Sequence, residues 1–192
     1  MKKLLIGCFG LVALLTIGAI IGVVMMPNKF KVQRTHQVSG TPEEAYAVVA
    51  NLHTWPDWTS WSREKDASCV WDWTGPESGA GAVMSWKGDV HKEGVLSLTH
   101  CVPGKEVAYD VVFIEDGAET TSQASLTFQA VGDKTEVVWT MSGDMAGIWK
   151  LMIPVMDILI GPMFDEGLQG LDKQLSAGAA PSDPAQQPAK EG

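Results

Sequence analysis

The sequence predicts an α+β fold, one antiparallel sheet of seven strands together with one long C-terminal helix, and three observations predict it. Between residues 67 and 145 apolar side chains recur at every second position, interrupted by the turn signals Gly75-Pro76, Gly79, Gly88-Asp89, Pro103-Gly104, Asp116-Gly117 and Gly132-Asp133. Connections that short make neighbouring strands antiparallel, because a parallel pair needs a crossover of a dozen residues or more. The stretch 147–178 combines helical length with an apolar content unmatched after residue 26.

The chain opens with Lys2 and Lys3 and then runs uncharged from 4 to 26, which at ~1.5 Å per residue spans about 34 Å against roughly 30 Å of bilayer hydrocarbon. The expectation is an uncleaved transmembrane helix: the run exceeds the ~7 to 15 apolar residues of a signal peptide, and no small-x-small cleavage site precedes Pro27. Leu5-Ile6-Gly7-Cys8 has the look of a lipoprotein box, but too little apolar sequence precedes Cys8. Lys29, Lys31 and Arg34 balance the amine, Lys2 and Lys3 on the other side, so charge alone does not orient the helix. By analogy with ordinary signal anchors, the domain is expected outside the cytoplasm on a single-pass cytoplasmic or inner membrane protein. The expected organisation is an anchor at 1–27, one domain at 28–177 and a disordered Pro/Ala/Gln/Ser-rich tail at 178–192.

Net charge is −9, and beyond the anchor 12 basic side chains face 23 acidic ones. Nucleic acid is thereby excluded as the expected partner, since phosphate binding needs a basic face. Cys69 and Cys101 form no CxxC knuckle or disulfide framework, although a single bridge between them stays open for an exported domain.

Element by element, 30–38 alternates Phe30, Val32, Arg34, His36 and Val38 with polar residues, a half-buried strand. Thr41-Pro42-Glu43-Glu44 supplies an N-cap, a first-turn proline and acids for a helix whose apolar side is Ala45, Val48, Val49 and Leu52. Trp55-Pro56-Asp57-Trp58-Thr59-Ser60-Trp61 follows, and three tryptophans in seven residues require at least two to be buried. Strands are expected at 67–74, 81–87, 90–101, 105–115, 120–130 and 134–142. One apolar face carries Cys69, Trp71, Trp73, Ala82, Met84, Trp86, Val107, Tyr109, Val111, Phe113, Val137, Trp139 and Met141. In the last helix Phe164, Leu168, Leu171 and Leu175 mark one buried face, while 148–164 is apolar nearly all round. Gly161-Pro162 predicts a kink, and Pro154 a weaker one.

The order of elements resembles the helix-grip fold of the START and birch-pollen-allergen superfamily (SRPBCC). Particular motifs narrow it to membrane-anchored bacterial proteins of polyketide cyclase/dehydrase-like type. Thr41-Pro42-Glu43-Glu44-Ala45-Tyr46 resembles the family's P-x-E-x-V-F/Y opening, and Trp55 to Trp61 its W-P-x-W-S-P-W. Gly75 to Gly79 through Trp86-Lys87-Gly88 resembles its G-x-x-x-G-x-G…W-x-G hairpin, and Ile160-Gly161-Pro162 with Phe164 to Leu168 its final helix. Thr59-Ser60 replaces Ser-Pro, and Met163 stands where the family's G-P-x-F segment would carry an acid.

The resemblance implies a sheet curved around the C-terminal helix, with an apolar cavity between them and no cofactor. Trp58, Trp61, Trp71, Met84, Trp86, Tyr109, Phe113, Trp139, Met141, Met152 and Met156 are the candidate ligand-binding residues. Eight tryptophans against five phenylalanines favour a wide interior. The four histidines are too scattered for a metal site or a nucleophile relay, so no metal is expected. Asp157 is the one catalytic candidate. On the face of Phe164 it would be desolvated, its pKa raised, and able to act as acid or base; rephased by the kink, it would turn to water or to Lys150.

Three functions remain. The first is membrane-tethered binding of a hydrophobic small molecule such as a lipid, quinone or polyketide-like compound. The second is a cyclase, hydratase or isomerase using Asp157 with Tyr109, His36 or Arg34. The third is a partner-binding module of an envelope complex.

Overall fold

The structure, a computed structural model, describes Gly18, residues 22–115 and residues 117–178. Most of the expected anchor and nearly all of the expected tail lie outside the described residues; residues 22–25 are helical and lead into the domain.

Seven antiparallel strands form one curved sheet in the order β1-β7-β6-β5-β4-β3-β2, with β1 (Lys29–Ser39) and β2 (Val70–Thr74) at its edges. Between these edges lie β3 (Val83–Gly88), β4 (Lys92–Val102), β5 (Glu106–Glu115), β6 (Ala118–Val131) and β7 (Lys134–Asp144). Every consecutive pair from β2 to β7 is a hairpin, and β1 returns to pair with β7 and close the order. The expected strands are all present, their ends displaced by up to three residues, as is normal where strand ends fray into turns.

The helix Pro42–Val49 starts as its sequence requires. The Thr41 hydroxyl accepts from the Glu44 N–H, and the Glu44 carboxylate accepts from the Thr41 N–H at 2.7 Å, a reciprocal capping box. In the following short helix Trp55–Trp58, Trp55 and Trp58 are buried and Trp61, just beyond it, is half-buried.

The C-terminal rod departs from expectation in where it breaks. Residues Gly147–Val155 wind as a 3-10 helix, and the α-helix begins only at Met156, running unbroken through Pro162 to Ser176. Pro154 therefore marks the transition, and Gly161-Pro162 marks none. Two physical reasons account for this. Pro162 cannot donate to the Ile158 carbonyl, but that turn is exposed, so water can satisfy the acceptor. The residue before a proline is normally pushed out of the α region by a clash with its Cβ, and Gly161 has none.

Beyond that point the rod is locked in. Phe164 stacks on Trp139 with ring centroids 4.2 Å apart and an interplanar angle of 2°, and Trp139 in turn meets Trp55 and Trp58. Phe164, Leu168 and Leu171 are fully buried, each stabilising the fold by ~1.5–3 kcal/mol. Glycine lets the helix approach this closely. A Cβ at Gly167 would lie 2.7 Å from the Trp139 ring, and one at Gly170 would lie 2.1 Å from the Trp58 carbonyl oxygen. At the helix's far end Asp172 accepts from the Ser39 N–H and hydroxyl at 2.7 and 2.9 Å, tying the rod to the end of β1.

Candidate ligand cavity

Alternation along the strands carries the site. Met84 and Trp86 of β3, Leu96 of β4, Tyr109, Val111 and Phe113 of β5, and Met141 of β7 all point to the face that the rod crosses. With Trp55 and Trp61 from the connector they line one cavity. The lining is almost wholly apolar. The cavity leaves ≈ 20 Å³ for the centre of a water molecule, room for about one or two waters. A larger guest must therefore displace part of the wall.

The most displaceable part is its edge. Trp61 and Phe113 are only half-buried and stack with centroids 6.0 Å apart at 28°, and Trp86 meets Phe113 edge-on at 5.9 Å. Trp86 can lie there because Gly94 faces it across the ladder; a Cβ at Gly94 would stand 2.3 Å from the indole ring. Met84 and Met141 add unbranched side chains that can refill space as it changes.

Most polar atoms of the lining are spent: the indole N–H groups of Trp55 and Trp86 donate to the Val49 and His91 carbonyls. The Tyr109 hydroxyl is buried and accepts a hydrogen bond from the Trp139 indole N–H at 2.9 Å. Its own proton meets no acceptor among the described residues. Burial pushes the Tyr109 pKa up, with the Trp139 bond opposing, so the phenol keeps its proton throughout the physiological range. The site thus offers one buried hydroxyl donor in apolar surroundings, with the Trp61 indole N–H at its half-buried edge, and an unmade bond in a buried place costs about 1–3 kcal/mol.

Of the residues named from sequence, Trp61, Met84, Trp86, Tyr109, Phe113 and Met141 are brought together at the cavity. Trp58 and Trp139 are buried beside Phe164 instead. Trp71 lies under the Arg63 guanidinium, 4.8 Å from its ring centroid. Met156 packs on the flank of the core without lining the cavity, and Met152 is exposed. Trp55, Leu96 and Val111 line it although the sequence reading passed over them. The signal was the register: Leu96 pairs with Met84 on one side and Val111 on the other, so all three share a row.

Of the two readings of Asp157, the structure departs from the desolvated one and agrees with the solvent-facing one, though without the rephasing. The unbroken helix does keep it on the Phe164 side, but there it meets Arg34 of β1, not the cavity. Arg34 grips both carboxylate oxygens at 2.7 and 3.0 Å and also donates to Asp165 at 3.1 Å. Asp157 is exposed, its side chain 59% accessible, and the bonds from Arg34 hold its pKa below the ordinary carboxylate value, opposite to the rise that burial would give. The alternative partner, Lys150, is spent elsewhere. Cys69 and Cys101 are unpaired thiols, and burial pushes Cys69 up to about 11. Among the described residues no group of three His, Cys, Asp or Glu is placed to hold a metal.

Comparison with known proteins agrees with this architecture. Protein MLL2253 from Mesorhizobium loti superposes with a TM-score of 0.57 at 13% identity, over 78% of this chain and 99% of that one. The Aha1 dimer from Colwellia psychrerythraea gives 0.55 at 15%, over 78% and 98%. DynU16, from the dynemicin biosynthetic locus, gives 0.51 at 15%, over 79% of this chain and 49% of that longer one. At such identities the likeness concerns the fold. No curated protein matches the sequence. The model of one family, described as polyketide cyclase/dehydrase and lipid transport, matches residues 29–176, the whole span from β1 to the end of the rod. The chain belongs to that family, within the SRPBCC superfamily that its sheet, rod and motifs resemble.

Proposed function

We propose that this protein is a membrane-tethered binding protein. Its domain, held outside the cytoplasm by the apolar run 4–26, retains an apolar small molecule that carries a hydrogen-bond acceptor, such as a lipid, a quinone or a polyketide-like ketone. The observation that carries the reading is the cavity's polarity: nine lining residues, all aromatic or aliphatic, with the Tyr109 hydroxyl as the one hydroxyl donor, buried and with its proton unspent. The family's description, which couples cyclase/dehydrase chemistry with lipid transport, supports an apolar guest of this kind.

Proton transfer on a bound ketone would require at least two titratable groups at the guest. Tyr109 alone titrates among the lining residues, and Asp157 is engaged by Arg34 on the surface. These points favour retention of the guest over its conversion.

Native mass spectrometry of the full-length protein released from its own membrane tests the proposal. The expected spectrum contains an adduct of lipid-like mass, with occupancy lowered roughly 2- to 10-fold by Tyr109→Phe, the worth of one hydrogen bond. A bare protein that also fails to retain added quinones and phospholipids would overturn it, as would turnover of an added polyketone.

A further inference from the structure

The domain leaves its large apolar side chains uncovered in one main place. Ile148, Trp149, Leu151, Met152, Ile158 and Leu159 are all exposed, Trp149 at 68% and Ile158 at 71%, and all belong to the upstream part of the rod. In the rest of the described domain only Val70, Val90 and Val131 are comparably exposed, and they are scattered over three different segments. A gathering of this kind marks an interaction surface, whereas single exposed apolar residues do not.

Three further observations name what covers it. First, the ledge is joined to the end of the apolar run. The Lys150 ammonium donates to the carbonyls of Val24 and Met26, at 3.3 and 3.1 Å, closing the last turn of helical residues 22–25, and Val24 and Met25 extend the exposed apolar surface. Second, its charges are paired. Between Ile148 and Phe164 the only charged residues are Lys150, held by those carbonyls, and Asp157, held by Arg34. Third, exposed Lys29 and Lys31 follow within five residues of Met26, where phospholipid head groups would meet them.

From these we infer that the ledge 148–159 is sunk into the head-group and acyl boundary of the same phospholipid bilayer that holds run 4–26, so that the domain lies against the membrane. This rests on the tether in the proposed function and is independent of the guest. Gly147–Ser176 is long and apolar enough to cross a bilayer, but Phe164, Leu168 and Leu171 are fixed in the core, so its upstream half lies on the surface without crossing.

The register then places the cavity's edge. Phe30 aligns with Gly143, Gly143 with Ser122, and Ser122 with Val111. Phe113, two residues further along β5, sits at the end of the sheet where the chain enters from Met26, together with Gly94 and Trp86. The half-buried Trp61–Phe113 pair is thus at the membrane-facing end, and a guest would enter from the bilayer without crossing water.

The test uses the full chain in vesicles of phosphatidylcholine brominated near the glycerol end of its acyl chains, with Trp149→Phe beside wild type. Five of the other tryptophans are buried and two half-buried. Bromolipid is expected to remove emission on the order of one tryptophan in eight from the wild type, and Trp149→Phe to remove most of that component, half-buried Trp61 supplying any remainder. Ile158→Ser with Leu159→Ser should reduce it while near-ultraviolet circular dichroism stays unchanged. Equal quenching in wild type and Trp149→Phe, with the protein still floating with the vesicles, overturns the ledge and leaves the tether standing. Protein that does not float overturns both, while the mass of a bound adduct still reports on the guest. Blue-shifted, unquenched Trp149 emission with cross-links between copies would assign the ledge to a second copy of the chain and overturn the bilayer.

Discussion

The C-terminal rod is apolar on both sides of Gly161, yet the downstream half is sealed into the core and the upstream half is left in the open. Composition does not separate them, since Ile158 and Leu159 are as apolar as Leu168 and Leu171. What differs is the neighbour. Downstream, the helix has β1 and β7 beneath it and the Trp55–Trp58 connector across its flank, so Phe164 and Leu168 are enclosed. Upstream, Ile153, Met156 and Ile160 still rest on the core, but the connector meets the rod at Met163, Glu166, Gly167 and Gly170, so among the described residues nothing covers the outer side of 148–159. Apolar sequence states a demand for burial; the reach of the connector decides which residues of the rod have it met within the domain.

The largest expected effect tests the two halves directly. Phe164→Ala should cost about 3–5 kcal/mol and Leu168→Ala about 2–5, whereas Ile158→Ala and Leu159→Ala should stay within roughly 0.5. Urea unfolding of the full chain in detergent measures all four, and similar costs on both sides would dissolve the distinction.

Glycine replacements sharpen it. Gly170→Ala drives a methyl against the backbone carbonyl of Trp58, which cannot swing away, and should cost about 1–3 kcal/mol. Gly161→Ala meets only the movable end of the Arg34 side chain, but displacing it breaks the Asp157 pair and the new Cβ crowds Pro162; alanine's gain of up to about 1 kcal/mol in helix propensity offsets part of this, so the variant should lose less stability than Gly170→Ala. Thermal melts of both variants make the comparison.

Smaller again, Met156→Ala should cost about 1 kcal/mol, because its side chain is only partly covered, and leave retention of any guest unchanged. Met84→Ala should enlarge the cavity and alter retention. Native mass spectrometry of the two variants checks this, and a loss of guest in Met156→Ala alone would move the site towards the rod.

The smallest effect is in pH. Hydrogen bonds from the Ser68 hydroxyl and the His91 N–H hold Asp66 below its ordinary value. Lys65 and Ser60 do the same for Glu166, and the Ser39 bonds lower Asp172 against its burial. Carboxylates depressed in the folded state contribute stability that is complete above about pH 4, the unfolded value, and is lost as pH falls through their lower folded values. Melts should therefore be flat from neutrality to about pH 5 and fall on the acid side, with Asp66→Asn flattening that fall. A decline beginning near neutrality would contradict the assignment.

Much of the candidate site could be read from the chain because strand alternation is local. Met84 and Trp86, or Tyr109 and Phe113, share a face whatever they face. Val111 lies between Tyr109 and Phe113 on the same face and is legible with them, the place of Leu96 depends on register between strands, and a tryptophan that fills a core, such as Trp139, has the same sequence signature as one that borders a cavity, such as Trp86. Asp157 shows the same limit. Its phase on the helix could be read, but its partner lies 123 residues away in β1, and that contact lowers its pKa where desolvation alone would have raised it.

By itself the sequence determined the elements, their order and their antiparallel pairing, since capping, turn chemistry and hydrophobic period act over a few residues and need no partner. Only the tertiary structure decided that the rod breaks at Pro154 and passes through Pro162, that six of the eleven named residues share the cavity, and that the apolar ledge stays uncovered. Each of those depends on what a distant segment places alongside, and the energy of a contact belongs to both surfaces that make it.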